Sequence, residues 1–169
     1  MWCTTYLKGI KELTATKKYD IQEKDLPEIP VYSIRKKIIE IPDELANLIN
    51  TVFEEIISRG GNCSGSPILL YYKDVEFNTM EVDLEVALPV KDNALFNKVL
   101  PPVHAVSVIE HLDSNSNLEG AYTALYAWMK SNGYHPAYPI REIYSTDPQA
   151  ISPEQLLVEI IIPLKREHD

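Results

Sequence analysis

Apolar positions along the chain switch between two periods. Leu45, Leu48, Ile49, Val52, Phe53, Ile56 and Ile57 recur at steps of three and four, the stripe of an amphipathic helix. Pro42 followed by Asp43 and Glu44 suits its first turn, where a fixed φ and negative charge are favoured. Arg59 and Gly60-Gly61 mark its end. Ahead of it, Pro27 and Pro30 bracket an extended run, Val31 to Ile38, prolines being tolerated where a strand starts. Behind it, Ile68 to Lys73 is a short apolar strand. In Glu81 to Val90, Val82, Leu84, Val86 and Leu88 alternate with Glu81, Asp83, Glu85 and Ala87, a strand with two unlike faces. Residues 74–79 between them read as a turn.

The second half repeats the order. Pro101-Pro102 precede an extended run from Val103 to His111. Ser116, three residues before Glu119, has the spacing of a capping box. The helix it introduces carries Leu118, Tyr122, Leu125 and Met129 and stops at Asn132-Gly133. Two strands follow, Tyr138 to Ser145 and Gln155 to Leu164, parted by Thr146-Asp147-Pro148. The halves align residue by residue: Glu85 to Val90 on Glu159 to Leu164, and Val31, Pro67 and Tyr72 on Val103, Pro139 and Tyr144. This predicts an α+β fold of two fused strand–helix–strand–strand modules with pseudo-twofold symmetry and a cleft between them. The first module covers about 19–92 and the second about 99–165. They form a single domain, 19–169, behind a weakly patterned arm, 1–18. Each sheet is expected to lay one face on its helix, and the other faces, richer in Glu and Tyr, to meet across the cleft.

Composition narrows the function. Of 169 residues 45% are apolar and 24% charged, which are globular values. The net charge of −9 argues against direct nucleic-acid binding, which rests on neutralising phosphates. No apolar run is long enough to cross a bilayer, and no export signal is visible, so a cytoplasmic location and no membrane partner are expected. Cys3 and Cys63 stand in no paired spacing and read as reduced thiols. The four histidines form no ligand spacing, and the six glycines form no phosphate loop, so neither metal nor cofactor is expected.

Strand parity then sorts the polar residues. Tyr138, Ile140, Glu142 and Tyr144 share one face, away from Arg141. At the aligned position of the first module stands Leu70, so Glu142 is a carboxylate without a mate. Tyr72, the mate of Tyr144, is expected in the same cleft. Glu142, Tyr144, Tyr72, Trp128 and Glu85 are therefore the candidate ligand-binding residues: a carboxylate among phenols and an indole suits an organic cation. Three plainer readings stand beside this one: an exposed strand glutamate at 142, strand-end roles for Glu85 and Glu159, and core packing for Tyr122 and Trp128. Helical spacing sets Trp128 about 120° from Tyr122, so Tyr122 is expected on the sheet and Trp128 toward the cleft.

From Tyr19 to Leu164 the chain resembles the GyrI-like, or effector-binding, domain found in AraC-type and MerR-type regulators and also alone. The resemblance rests on an ordered set: Gly65-x-Pro67 before Tyr72-x-Asp74; Asp83-x-Glu85-x-x-x-Pro89-Val90; His111; Leu118-x-x-x-Tyr122-x-x-Leu125-x-x-Trp128; Glu142-x-Tyr144 with Asp147-Pro148; and Glu159-x-x-x-Pro163. Where that family often has Gly and Tyr after the histidine, this chain has Asp113 and Asn115. The resemblance implies a cleft for small, often hydrophobic cations with Glu142 as its anion. It also implies two other possibilities from relatives: a hydrolase opening cyclopropane-bearing compounds, with Glu142 as base and Tyr72 or Tyr144 as its phenol, or an inhibitor acting by contact with a topoisomerase. With no helix-turn-helix in the chain, a role in transcription would pass through a protein partner.

Overall fold

The computed structural model describes residues 19–39, 43–75, 81–91, 95–112, 117–146 and 156–167. The arm 1–18, Pro42, Asp113, Asn115, the Ser116 cap and Asp147-Pro148 lie outside them. In chain order the elements are β1 (Gln22–Leu26), β2 (Ile29–Ile38), α1 (Asp43–Ser58), β3 (Ile68–Tyr71), β4 (Val82–Pro89), β5 (Lys98–Leu100), β6 (Val103–Leu112), α2 (Glu119–Ser131), β7 (Tyr134–Pro136), β8 (Ile140–Thr146) and β9 (Leu156–Arg166). The fold is α+β, as the periodicity predicts. α1 ends in a Schellman turn: Gly60 takes φ +80° and its N–H reaches the Ile57 carbonyl, while the Gly61 N–H reaches that of Ile56. α2 ends at Gly133, φ +76°, and begins with the Glu119 N–H donating to Asn117 Oδ1.

The strands form one antiparallel sheet in the order β1-β6-β9-β8-β3-β4-β2-β5, with β7 added alongside β9. Only Pro27 and Glu28 join β1 to β2, yet these strands stand first and seventh in that order. Laid flat, six strand spacings would part them by about 29 Å. Three Cα steps reach about 11 Å. The sheet must therefore curl until its ends approach, and Pro101-Pro102, which join β5 to β6, impose the same bend from the other side. β1, β5 and β7 are absent from the sequence reading, since five, three and three residues carry too little periodicity to detect.

Both described helices pack on one face of the sheet. α1 lays Leu48, Val52 and Ile56 on Leu69, Leu84, Val86 and Leu88. α2 lays Tyr122, Leu125 and Met129 on Val106, Val108, Ile140, Val158 and Ile160. Leu69 pairs with Val86 and with Glu142, and Glu142 pairs with Ile160, so all four share that face. The expectation that Glu142 would face away from the helices is thereby corrected: it sits on the helix side, at the β3–β8 seam.

The pairing registers change the alignment of the two halves. Lys24 lies opposite Ala105 and Lys98 opposite Val31, and a shift of 74 residues exchanges the two pairings, carrying Lys24 to Lys98 and Val31 to Ala105. Val86 and Ile160 are also 74 apart, but their partners Leu69 and Glu142 are 73 apart. In β3 and β8 the alignment thus moves by one residue, which turns a strand over. Leu69, not Leu70, corresponds to Glu142, and Tyr71, not Tyr72, corresponds to Tyr144.

Candidate functional site

Glu142 is 2% exposed, on the central seam between the two helix-packed cores. Among the described residues its side chain bonds only to phenols. Tyr144 donates to Oε1 at 2.8 Å and Tyr71 to the same oxygen at 3.4 Å, while Tyr122 from α2 makes a short bond to Oε2. Tyr71 and Tyr144 both touch the α1 and the α2 core clusters, which is why they converge on one carboxylate. Burial pushes the Glu142 carboxyl up, and the three phenolic donors work against that rise without cancelling it. The same burial, with the carboxylate next to them, pushes Tyr71, Tyr122 and Tyr144 well above the usual phenol range, so they stay protonated donors. Among the described residues no Lys, Arg or His forms an ion pair with Glu142.

One turn along α2 from Tyr122, Tyr126 donates to Asp74 Oδ1 at 2.7 Å, and Tyr138 donates to the same oxygen at 2.6 Å. Asp74 is exposed. Burial and the carboxylate raise both phenols, Tyr138 to about 12. Trp128 is placed elsewhere. It stacks on Tyr134 of β7, with 5.9 Å between ring centroids and 4° between planes, and Arg166 lies over the other ring of that pair at 5.4 Å. The helical reason is plain: Tyr126 and Trp128 flank the buried stripe of α2 on opposite sides, 160° apart in steps of about 100° per residue. The side ring that stands with the carboxylates is therefore Tyr126, and the expectation for Trp128 is corrected.

Tyr72 and Glu85 belong to the opposite face. Leu70 pairs with Glu85 and with Arg141, away from the helices. There Tyr72 makes a short bond to Glu85, Ser33 donates to Glu85 Oε2 at 2.6 Å, and Lys98 reaches Glu85 at 2.7 Å and the Tyr72 oxygen at 2.5 Å. Burial would raise the Glu85 carboxyl, but donation from Lys98, Ser33 and Tyr72 outweighs it and leaves the group below the usual range. Arg35, paired to Asp83, covers the Tyr72 ring at 4.0 Å. Tyr72 therefore cannot serve Glu142 as a phenol partner. Glu159, related to Glu85 by the 74-residue shift, pairs in the same way with Lys24 at 2.7 Å.

Of the five candidate residues, the structure brings together Glu142 and Tyr144. Tyr71 and Tyr122 are the members that sequence reasoning missed, and the Tyr126–Asp74 pair stands apart from them, one helical turn further along. The signal for Tyr71 was present but lay one residue out of register, and that for Tyr122 was hidden because a phenol on a core stripe looks like packing. Among the described residues no group of His, Cys, Asp and Glu could hold a metal ion, and no helix is long and apolar enough to cross a membrane.

Comparison with known proteins bears on the family and the fold. The family model for the GyrI-like small molecule binding domain matches residues 19–165. The crystal structure of the EcmrR C-terminal domain is similar at 25% identity and a TM-score of 0.73, over 89% of this chain and 99% of that one. The EcmrR–DNA complex is similar in fold at 23% identity and a TM-score of 0.74, over 97% of this chain, which spans 65% of the EcmrR chain's length. A hydrolase from Listeria innocua shares the fold at 10% identity and a TM-score of 0.61, over 94% of this chain and 98% of that one. Comparison with curated proteins finds no match.

Proposed function

The chain belongs to the GyrI-like small-molecule-binding domain family, and from that premise we propose that it binds amphipathic organic cations over Glu142. One contrast carries this reading. Glu85 and Glu159 each have a lysine partner, whereas Glu142, the more buried carboxylate, has three phenols and no cation among the described residues. A buried carboxylate without a counter-charge loses several kcal/mol of hydration. A cationic ligand supplies the missing charge, and the ring of phenols supplies the faces that attract it. The rings of Tyr122 and Tyr126 on α2, with Tyr71 and Tyr144, are apolar surface for the rest of such a molecule. The net charge of −9 adds a field that draws cations in. The output of binding passes to a protein partner or consists of sequestering the compound. The EcmrR C-terminal domain, part of a chain seen on DNA, is the model for the first of these.

Glu142→Gln keeps the shape and removes the charge. In calorimetric titration with a lipophilic quaternary ammonium compound and its neutral isostere, the variant should lose about 1.5–3 kcal/mol for the cation and little for the neutral molecule. Tyr72→Phe, on the far face, should leave both affinities in place. Equal affinity of wild type and Glu142→Gln for the cation would rule the reading out. A second reading has one observation in its favour: burial raises the Glu142 carboxyl toward the range a general base needs. On that reading the site hydrolyses a strained, cyclopropane-bearing electrophile, with Tyr144 or Tyr122 as the phenol in place of Tyr72. Turnover beyond one equivalent, abolished in Glu142→Gln, is what it requires.

A further inference from the structure

We propose that the site accepts two positive charges, with Asp74 as a second, outer cation subsite, so that its preferred ligands are dications. This rests on the reading of Glu142 just given and adds the class of cation. Tyr122 and Tyr126 are successive turns of α2 on one flank, and each donates to a different carboxylate, Glu142 and Asp74 respectively. Four residues rise about 6 Å, so the helix sets out the two acceptors as an inner and an outer step. Their environments differ in a way that suits two centres of one molecule. Glu142 is buried, with phenols on both of its oxygens. Asp74 is exposed, and Tyr126 and Tyr138 both donate to its Oδ1, while no described residue bonds its Oδ2. Two phenols on one oxygen fix the carboxylate's position without neutralising its charge. Tyr138 is 42% exposed, so one of those rings is open to a ligand. No described cation pairs with Asp74, although Lys73 is its neighbour in the chain. A ligand with a single cationic centre satisfies one step, and a ligand with two centres joined by an apolar linker satisfies both.

The test uses bis(trimethylammonium)alkanes of increasing linker length and the matched alkyltrimethylammonium compounds, titrated into the full chain. In the wild type the dications should bind at least tenfold more tightly than the monocations, with an optimum at one linker length. Asp74→Asn keeps an oxygen for both phenols and removes the charge. It should bring the best dication down to the affinity of its monocation, about a tenfold loss, while the monocation changes by less than twofold. Equal losses for both classes would assign Asp74 a structural role through Tyr126 and Tyr138 and overturn the proposal. So would a wild type that shows no preference for dications. The monocation against Glu142→Gln is the separate comparison: if it shows no loss, the Glu142 reading fails, and with it the inner step on which the dication proposal rests. If it shows the expected loss but Asp74→Asn does not discriminate, only the outer subsite is lost.

Discussion

A carboxylate is defined here by what donates to it. Glu142 receives three phenols and lies above its ordinary pKa range; Glu85 receives an ammonium, a hydroxyl and a phenol and lies below it. The two groups therefore act on stability with opposite signs. Because the folded pKa of Glu142 is raised, its contribution is fully present below the unfolded value, about 4.3, and is lost as pH rises through the folded value. The contribution of Glu85 is present above the unfolded value and is lost as pH falls through its lowered folded one. Glu142→Gln removes only the first of these. Measured by thermal unfolding without ligand, the variant should match or fall below the wild type near pH 4 and gain on it steadily toward pH 7. A difference that is flat across this range would mean that Glu142 is not destabilised by burial. The residue scale also shows why Glu142 was found and its ring was not. A carboxylate with no counterpart in an otherwise aligned repeat stands out in a sequence, but three tyrosines from β3, β8 and α2 meet only after those elements have packed.

At the scale of elements, β1 and β5 make a point that no periodicity could. Each is short and lies at an end of the sheet, and each carries a lysine, Lys24 or Lys98, that crosses to a glutamate two strands away, on β9 or β4. The equivalent pairs differ in solvent. Glu85 is 6% exposed and also holds Ser33 and Tyr72, whereas the Glu159 side chain is 25% exposed. Removing Lys98 leaves a buried carboxylate unpaired, for which the full penalty is about 3–5 kcal/mol; water at the half-exposed lysine reduces this, and about 1–3 kcal/mol is expected. Lys24→Met should cost less than about 1 kcal/mol, as surface pairs do. Denaturant unfolding of Lys98→Met and Lys24→Met compares them directly, and equal costs would show that the buried network around Glu85 adds nothing. α2 holds the other lesson at this scale. Its stripe of Leu118, Tyr122, Leu125 and Met129 is legible as an amphipathic face, yet a helical wheel cannot say which flank meets the seam. Packing against β6, β7 and β9 puts Trp128 on the β7 side and Tyr126 on the Asp74 side.

At the scale of the whole molecule, the described residues form one curled sheet with their two helices on the same face, and the proposed site lies on the seam where β3 pairs with β8. A ligand bound there touches both halves and so resists their separation. Bound at 100 times its dissociation constant, it should stabilise the fold by about 2.7 kcal/mol, a rise of roughly 5–10 °C in melting temperature for a chain of this size. A screen of mono- and dicationic dyes by thermal shift checks this, and cations that bind without moving the transition would have equal affinity for the unfolded chain, which would overturn a site built by the fold. Period and the glycine stops were enough to determine the two described helices, the principal strands and the α+β class, because those features depend on neighbours close in the chain. Three things depended on contacts between residues about 70 apart: that the sheet is continuous and curled, that Glu142 lies on the helix side of it, and that Tyr71 rather than Tyr72 stands beside it. Strand side chains alternate with a period of two, so an alignment wrong by a single residue moves every side chain to the other face, and in a strand as uniformly apolar as Ile68–Tyr71 the sequence carries no sign of the error. Only the paired strands, whose hydrogen bonds allow one register, decide which face is which.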